Sequence, residues 1–316
     1  MKRGGVLLAL AALGVVAAVG YGVLRERTPY FGGDRCTATV EGRTVSLAVE
    51  QAENAALITA IAVRRGMPAR AVSIALATAY QESKIYNLDS GDRDSLGIFQ
   101  QRPSQGWGTR EQILNPYYAT NAFYDALAKV DGYESMRITV AAQAVQRSGF
   151  PEAYADHEAD ARVLASALTG NSPHAFACRL SGDVEPGPDR LDEAGLTPRA
   201  AKVRGAVEAA FGDLALGGFA PGGVSSGHMP GSTHYEGRAI DIFLRPVNPD
   251  NNRRGWAIAQ YLVAQADRLD IQTVIFDGRI WKAGRDDRWR AYDPPESPGD
   301  RAVLEHRDHV HVDVFD

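Results

Sequence analysis

Two short segments near the end of the chain carry the residue types that bind metal and move protons. They read Ser232-Thr-His-Tyr-Glu-Gly-Arg-Ala-Ile-Asp241 and His306-Arg-Asp-His-Val-His311. Hydrolytic zinc sites take three protein ligands from imidazole and carboxylate and leave a fourth position for water. His234 and Asp241 offer two such ligands, and Gly237 permits the sharp turn that returns the chain between them. His309 and His311 are two residues apart, so on a strand both side chains point to one face. One can then ligate while the other faces the same cavity. Bound zinc polarises a carbonyl and draws the pKa of its water toward about 7, and Asp308 is the nearby carboxylate available as general base. The histidines are segregated to match, since none of the seven precedes His157.

A second, separate candidate lies in the first half. Apolar spacing predicts a helix over 68–84 that ends in Tyr80-Gln-Glu82-Ser83. Ala71, Ala75, Thr78 and Ala79 share a face with Glu82. A glutamate on such a face is partly desolvated, the setting in which a carboxylic acid serves as proton donor to a glycosidic oxygen. The segment beyond holds Ser95, Gln100 and Trp107, and amide and aromatic groups are those that hydrogen-bond and stack on sugar rings. A second carboxylate, if needed, would come from Asp89, Asp92 or Asp94.

These residues need elements to hold them. Helical patterns run over 48–65, 68–84, 110–130, 136–147 and 151–169. Pro68 and Pro151 suit first helical positions. A polar stretch with two prolines at 181–192 reads as a linker. Beyond it the texture becomes mixed. A helix over 198–211 is followed by a glycine-rich loop through 216–233, a strand at 238–244 and a helix near 251–268. Short strands follow at 272–276 and 279–282, and the alternating HVHVDVF forms a final strand. The expected fold is therefore multidomain, a mainly-α domain followed by an α+β domain. The expected division is 1–27 anchor or signal, 28–44 stalk, 45–180 helical domain, 181–194 linker and 195–316 α+β domain.

With 316 residues, 45% hydrophobic and 23% charged, the chain has an ordinary globular composition that excludes wholesale disorder. A net charge of -5 gives it no global reason to bind nucleic acid. After Met1-Lys2-Arg3, the uncharged run Gly4 to Leu24 is long enough to span a hydrocarbon core. The basic residues before it favour a cytoplasmic N-terminus and an extracytoplasmic body. A cleaved secretory signal is the alternative, and it too places the body outside the cytoplasm. Cys36 and Cys178, the two cysteines, are in that setting expected to pair.

Ser-x-His-x-x-Gly-x-Ala-x-Asp followed by His-x-His resembles the zinc peptidases grouped with lysostaphin, the D-alanyl-D-alanine metallopeptidases and the hedgehog signalling domain. The resemblance covers roughly 195–316. It implies that His234, Asp241 and His311 bind Zn2+ and that His309 stabilises the tetrahedral intermediate. Asp308 would be the base, Ser232 would lie at the substrate, and that substrate would be a stem or crosslink peptide of peptidoglycan. Some members carry an arginine before the first zinc histidine; here Gly222 to Gly231 has none. A helix ending in Glu-Ser followed by Ser-x-Gly-Ile-Phe-Gln resembles the lysozyme-like lytic transglycosylases, over about 45–170. That resemblance implies Glu82 as acid and then base, with an anhydro-sugar product. The family's later Tyr-Asn-x-Gly is replaced here by residues 141–149. Together they imply an extracytoplasmic enzyme that remodels peptidoglycan. The alternatives from other classes are a non-catalytic wall-binding scaffold and a wall-opening component of a secretion or conjugation machine.

Overall fold

A computed structural model describes residues 33–296 and 298–316; the expected membrane segment 4–24 lies outside them. No helix among the described residues is long and apolar enough to cross a membrane.

The chain opens with a hairpin of β1 (Arg35–Val40) and β2 (Arg43–Leu47). This corrects the expected stalk over its described part. Alternation through Thr37-Ala-Thr-Val and Arg43-Thr-Val-Ser-Leu buries one face, and Glu41-Gly42 turns the chain with both φ angles positive. β1 then pairs on its other side with β3 (Phe176–Arg179), giving a sheet of order β2-β1-β3. Cys36 and Cys178 stand directly opposite in that pairing and are disulfide-bonded, as expected.

Between β2 and β3 lie the helices α1 (Val49–Arg64), α2 (Ala69–Ser83), α3 (Arg110–Leu114), α4 (Pro116–Leu127), α5 (Ile138–Gln146) and α6 (Glu158–Leu168). Pro68 caps α2 rather than opening it. The single helix expected over 110–130 is split, because a residue before proline avoids the helical region. Asn115 adopts ψ 111° there and its side chain caps α4 by accepting from Tyr117 and Tyr118.

Residues 181–192 contain no helix or strand. Beyond them come α7 (Pro198–Phe211), β4 (Leu216–Gly217), β5 (Ala239–Phe243), α8 (Pro249–Ala264), β6 (Ile271–Phe276), β7 (Arg279–Lys282), β8 (Arg290–Ala291), α9 (Arg301–Leu304) and β9 (His309–Val314). The strands form one sheet in the order β4-β5-β9-β6-β7-β8, every pairing antiparallel. Helix α8 packs against β6 on one side and against α1 on the other.

Asp34 to Asp316 form one compact unit, and a single buried core runs through both halves. The seam is also hydrogen-bonded. The indoles of Trp281 and Trp289 donate to the carbonyls of Cys178 and Phe176, each at 2.8 Å. Buried Gln260 accepts from the Phe176 N–H at 2.8 Å and donates to the Ala167 carbonyl at 2.6 Å. Gln265 reaches the Glu53 carbonyl at 2.9 Å. Strand β3 thus belongs by pairing to the first half and is gripped by side chains of the second.

Candidate metal centre and a separate carboxylate site

Register places the first site. Asp241 of β5 lies opposite His311 of β9, and Phe243 lies opposite His309. Period-two alternation then sends His309 and His311 to the face that Asp241 shares. His234 comes from the 3-10 turn Thr233–Glu236, which Ser232 caps by accepting the His234 N–H at 3.4 Å. Ser232 is thereby engaged in local structure.

The three expected ligands meet. His234 Nε2 is 3.1 Å from His311 Nδ1 and 3.3 Å from Asp241 Oδ1, and His311 Nδ1 is 3.2 Å from the same oxygen. Zinc bonds of about 2.0–2.1 Å in a tetrahedron set donor-to-donor edges of about 3.3 Å, so the donor set fits such an ion. The outer nitrogens are held as well. His234 Nδ1 pairs with the Gly218 carbonyl at 2.8 Å, and His311 Nε2 pairs with Asp313 Oδ2 at 3.3 Å. Such partners fix which nitrogen faces the ion and how the ring is turned. Gly218 is required by this closeness, because a Cβ there would lie 2.3 Å from the His234 ring.

The cluster is buried and charged. Burial works against ionised Asp241, but hydrogen bonds from His234 and His311 outweigh it and hold the carboxyl well below the usual carboxylate range. Burial also pulls His311 down, and Asp241 and Asp313 overcome it, lifting the imidazole to about 9. His306, beside His309 at 4.6 Å between ring centres, is pushed down to about 3 by burial and then by its imidazole neighbours.

His309 turns Nε2 toward the ligands, 3.7 Å from Asp241 Oδ1. Its Nδ1 bonds to Asp308 Oδ1 at 2.7 Å, and Asp308 Oδ2 accepts from Arg245 at 2.7 Å. Both oxygens of Asp308 are therefore occupied, which departs from the free base expected from the sequence. Asp308 orients His309 instead. Arg245 follows β5 and was not singled out in the sequence, since nothing in its spacing ties it to residue 308.

His228 also reaches this centre. His228, His234 and Asp241 form a group whose donor atoms all lie within 4.8 Å of one another and could hold a metal ion.

The second candidate site is built differently. Glu82 ends α2 half-buried, and its carboxylate accepts from the Tyr154 hydroxyl at 2.7 Å. Burial and then the Glu82 charge hold that phenol in its protonated form, with a hydrogen bond from Ser148 opposing them. Ser83 is buried and donates to the Ile98 carbonyl at 2.7 Å, tying the loop to the helix end. Gln146 of α5 donates to the Phe99 carbonyl at 2.7 Å. The Glu-Ser and Phe-Gln segments therefore meet. Ser95 is buried, and half-buried Gln100 bonds its amide to the Gly97 carbonyl at 3.2 Å. Trp107 lines a cavity of about 570 Å3 with Lys129, Gln146 and Arg147. Asp94, a candidate second carboxylate, is committed to Arg102 at 2.8 Å and to the Ser104 N–H at 2.8 Å. Tyr154 was missed in the sequence, 72 residues from its partner.

No curated protein matches this chain. Residues 192–303 match a family model described as VldE, C-terminal domain. That segment carries His228, His234 and Asp241 and stops just short of His309 and His311.

Proposed function

We propose that this chain is an extracytoplasmic peptidoglycan-remodelling enzyme whose α+β half is a zinc peptidase and whose helical half cleaves glycan strands. The observation that carries the reading is the triangle of His234, Asp241 and His311, with edges of 3.1, 3.2 and 3.3 Å. When bound, zinc would polarise the scissile carbonyl and acidify the attacking water. His309 would take a proton from that water as its oxygen adds to the carbonyl carbon. It would return the proton to the amine as the C–N bond breaks. Asp308 and Arg245 keep the His309 ring turned for both transfers. In the helical half, Glu82 would protonate the glycosidic oxygen and then accept a proton from a hydroxyl of the same sugar, with Tyr154 holding the carboxylate in place. A disulfide closing most of the helical half supports an oxidising compartment, in line with export and with a membrane anchor at residues 4–24.

The test is product analysis. The full chain, purified in detergent, is incubated with isolated sacculi and the fragments are resolved by mass spectrometry. Cleaved stems that vanish in His234→Ala, and anhydro-muropeptides that vanish in Glu82→Gln, are the expected result. Sacculi left intact by the zinc-loaded chain would remove the enzymatic reading and favour a wall-binding scaffold.

A further inference from the structure

His228 stands over the centre with no part in the three-ligand scheme. It lies in the glycine-rich segment between β4 and the turn that bears His234, yet it is fixed at both polar groups of its own backbone. The Tyr235 hydroxyl accepts from the His228 N–H at 3.0 Å and donates to the His228 carbonyl at 2.5 Å. Its imidazole stacks on that of His234, 3.9 Å between ring centres and 20° between planes. The neighbours Gly227 and Met229 are exposed, whereas His228 is half-buried. One of its ring nitrogens lies no more than 4.8 Å from a ring nitrogen of His234 and a carboxylate oxygen of Asp241. On those two edges the shortfall from a tetrahedral edge is at most about 1.5 Å, within the reach of a side-chain rotation.

We propose that His228 is a fourth protein donor to this metal centre, positioned by Tyr235, and that it closes the site at rest. The inference rests on the reading of His234, Asp241 and His311 as ligands. Four protein donors make a closed site, and hydrolysis needs one position open. Substrate must therefore displace the His228 side chain, which comes from a glycine-rich segment outside the sheet. His309 is the rival for that position, with Nε2 3.7 Å from Asp241 Oδ1, and the experiment separates the two.

The experiment uses the full chain in detergent, stripped and reloaded with Co2+ or Zn2+. Affinity is read by chelator competition and coordination by the Co2+ absorption spectrum. His228→Ala is expected to weaken Zn2+ binding by about tenfold or more and to shift the Co2+ spectrum toward one fewer nitrogen donor. Tyr235→Phe, which keeps the ring but loses both backbone bonds, is expected to weaken binding by about 10- to 100-fold, the range for loss of a supporting group. His309→Ala is expected to leave affinity and spectrum as in the wild type. Wild-type affinity and spectrum in His228→Ala, or a loss confined to His309→Ala, overturns the proposal. Failure of the underlying reading looks different: the wild-type chain then binds no ion, or His234→Ala binds it equally well.

Discussion

His309 and Asp308 are adjacent in sequence and are placed differently, the imidazole toward the centre and the carboxylate behind it. A carboxylate bonded to imidazole Nδ1 leaves Nε2 as the atom that exchanges a proton, and Arg245 keeps that carboxylate from turning away. Replacing His309 with Ala should therefore lower stem cleavage by about 10²-fold or more while bound zinc stays at the wild-type level, measured by muropeptide release and metal analysis on the same preparation. Asp308→Asn should cost less, because an amide oxygen still accepts from Nδ1. If His309→Ala instead released the ion, His309 would be a ligand and the division of labour drawn above would fall. The lesson at this scale is that the residues gathered in the candidate centre were legible from type and spacing, whereas most of their partners were not. Arg245 and Tyr154 are recruited by the fold across separations of 63 and 72 residues, whereas Asp313 was within reach of the alternation that ties His309 to His311.

Elements set what single residues cannot. The pairing of β5 with β9 brings Asp241 and His311 together from 70 residues apart, and β4 brings Gly218 up behind His234. Gly218→Ala would drive a methyl group into the His234 ring at a backbone φ of 78° that side chains rarely adopt. It should abolish stoichiometric zinc binding and lower Tm, read by metal titration and thermal melting; full binding in that variant would contradict the packing described. Most helices and the strands of the second half were visible as periodicity, because long apolar patterns leave few alternatives. The β1-β2 hairpin escaped because it is short and sits beside a polar segment. Its partners, β3 by pairing and α6 by packing, lie more than 110 residues away, which local pattern cannot reveal.

The whole molecule is held by a covalent tie and by a buried seam. The Cys36–Cys178 bridge closes a loop with a sequence separation of 142. Removing a native disulfide costs about 2–5 kcal/mol, so the paired Cys36→Ser, Cys178→Ser variant should unfold at clearly lower denaturant than the oxidised wild type. Reduced wild type should match the variant. The seam also carries Glu53 of α1, where burial, opposed by Arg268 and assisted by Asp267 and Glu50, lifts the carboxyl from 4.5 to about 7. The folded state then binds this proton more tightly than the unfolded chain, so the contribution of Glu53 to stability is fully present below pH 4.5 and is lost as pH rises through 7. Glu53→Gln should stabilise the protein by about 1–2 kcal/mol at pH 8, the full shift being discounted for partial exposure, and change little at pH 4. Melting curves at the two pH values check this, and an equal effect at both would refute it.

Trp281 and Trp289 each send an indole N–H across the seam, and Trp289 lies 5.2 Å from Trp256 between ring centres. The molecule thereby contains its own optical gauge. Three sheltered indoles should emit at short wavelength while the halves are joined, and any parting of them should wet two of these fluorophores and redden the emission. With Trp107 replaced by Phe to remove the one indole outside the seam, fluorescence could then tell, without a label, whether engaging a large polymeric target leaves the two halves closed or prises them apart.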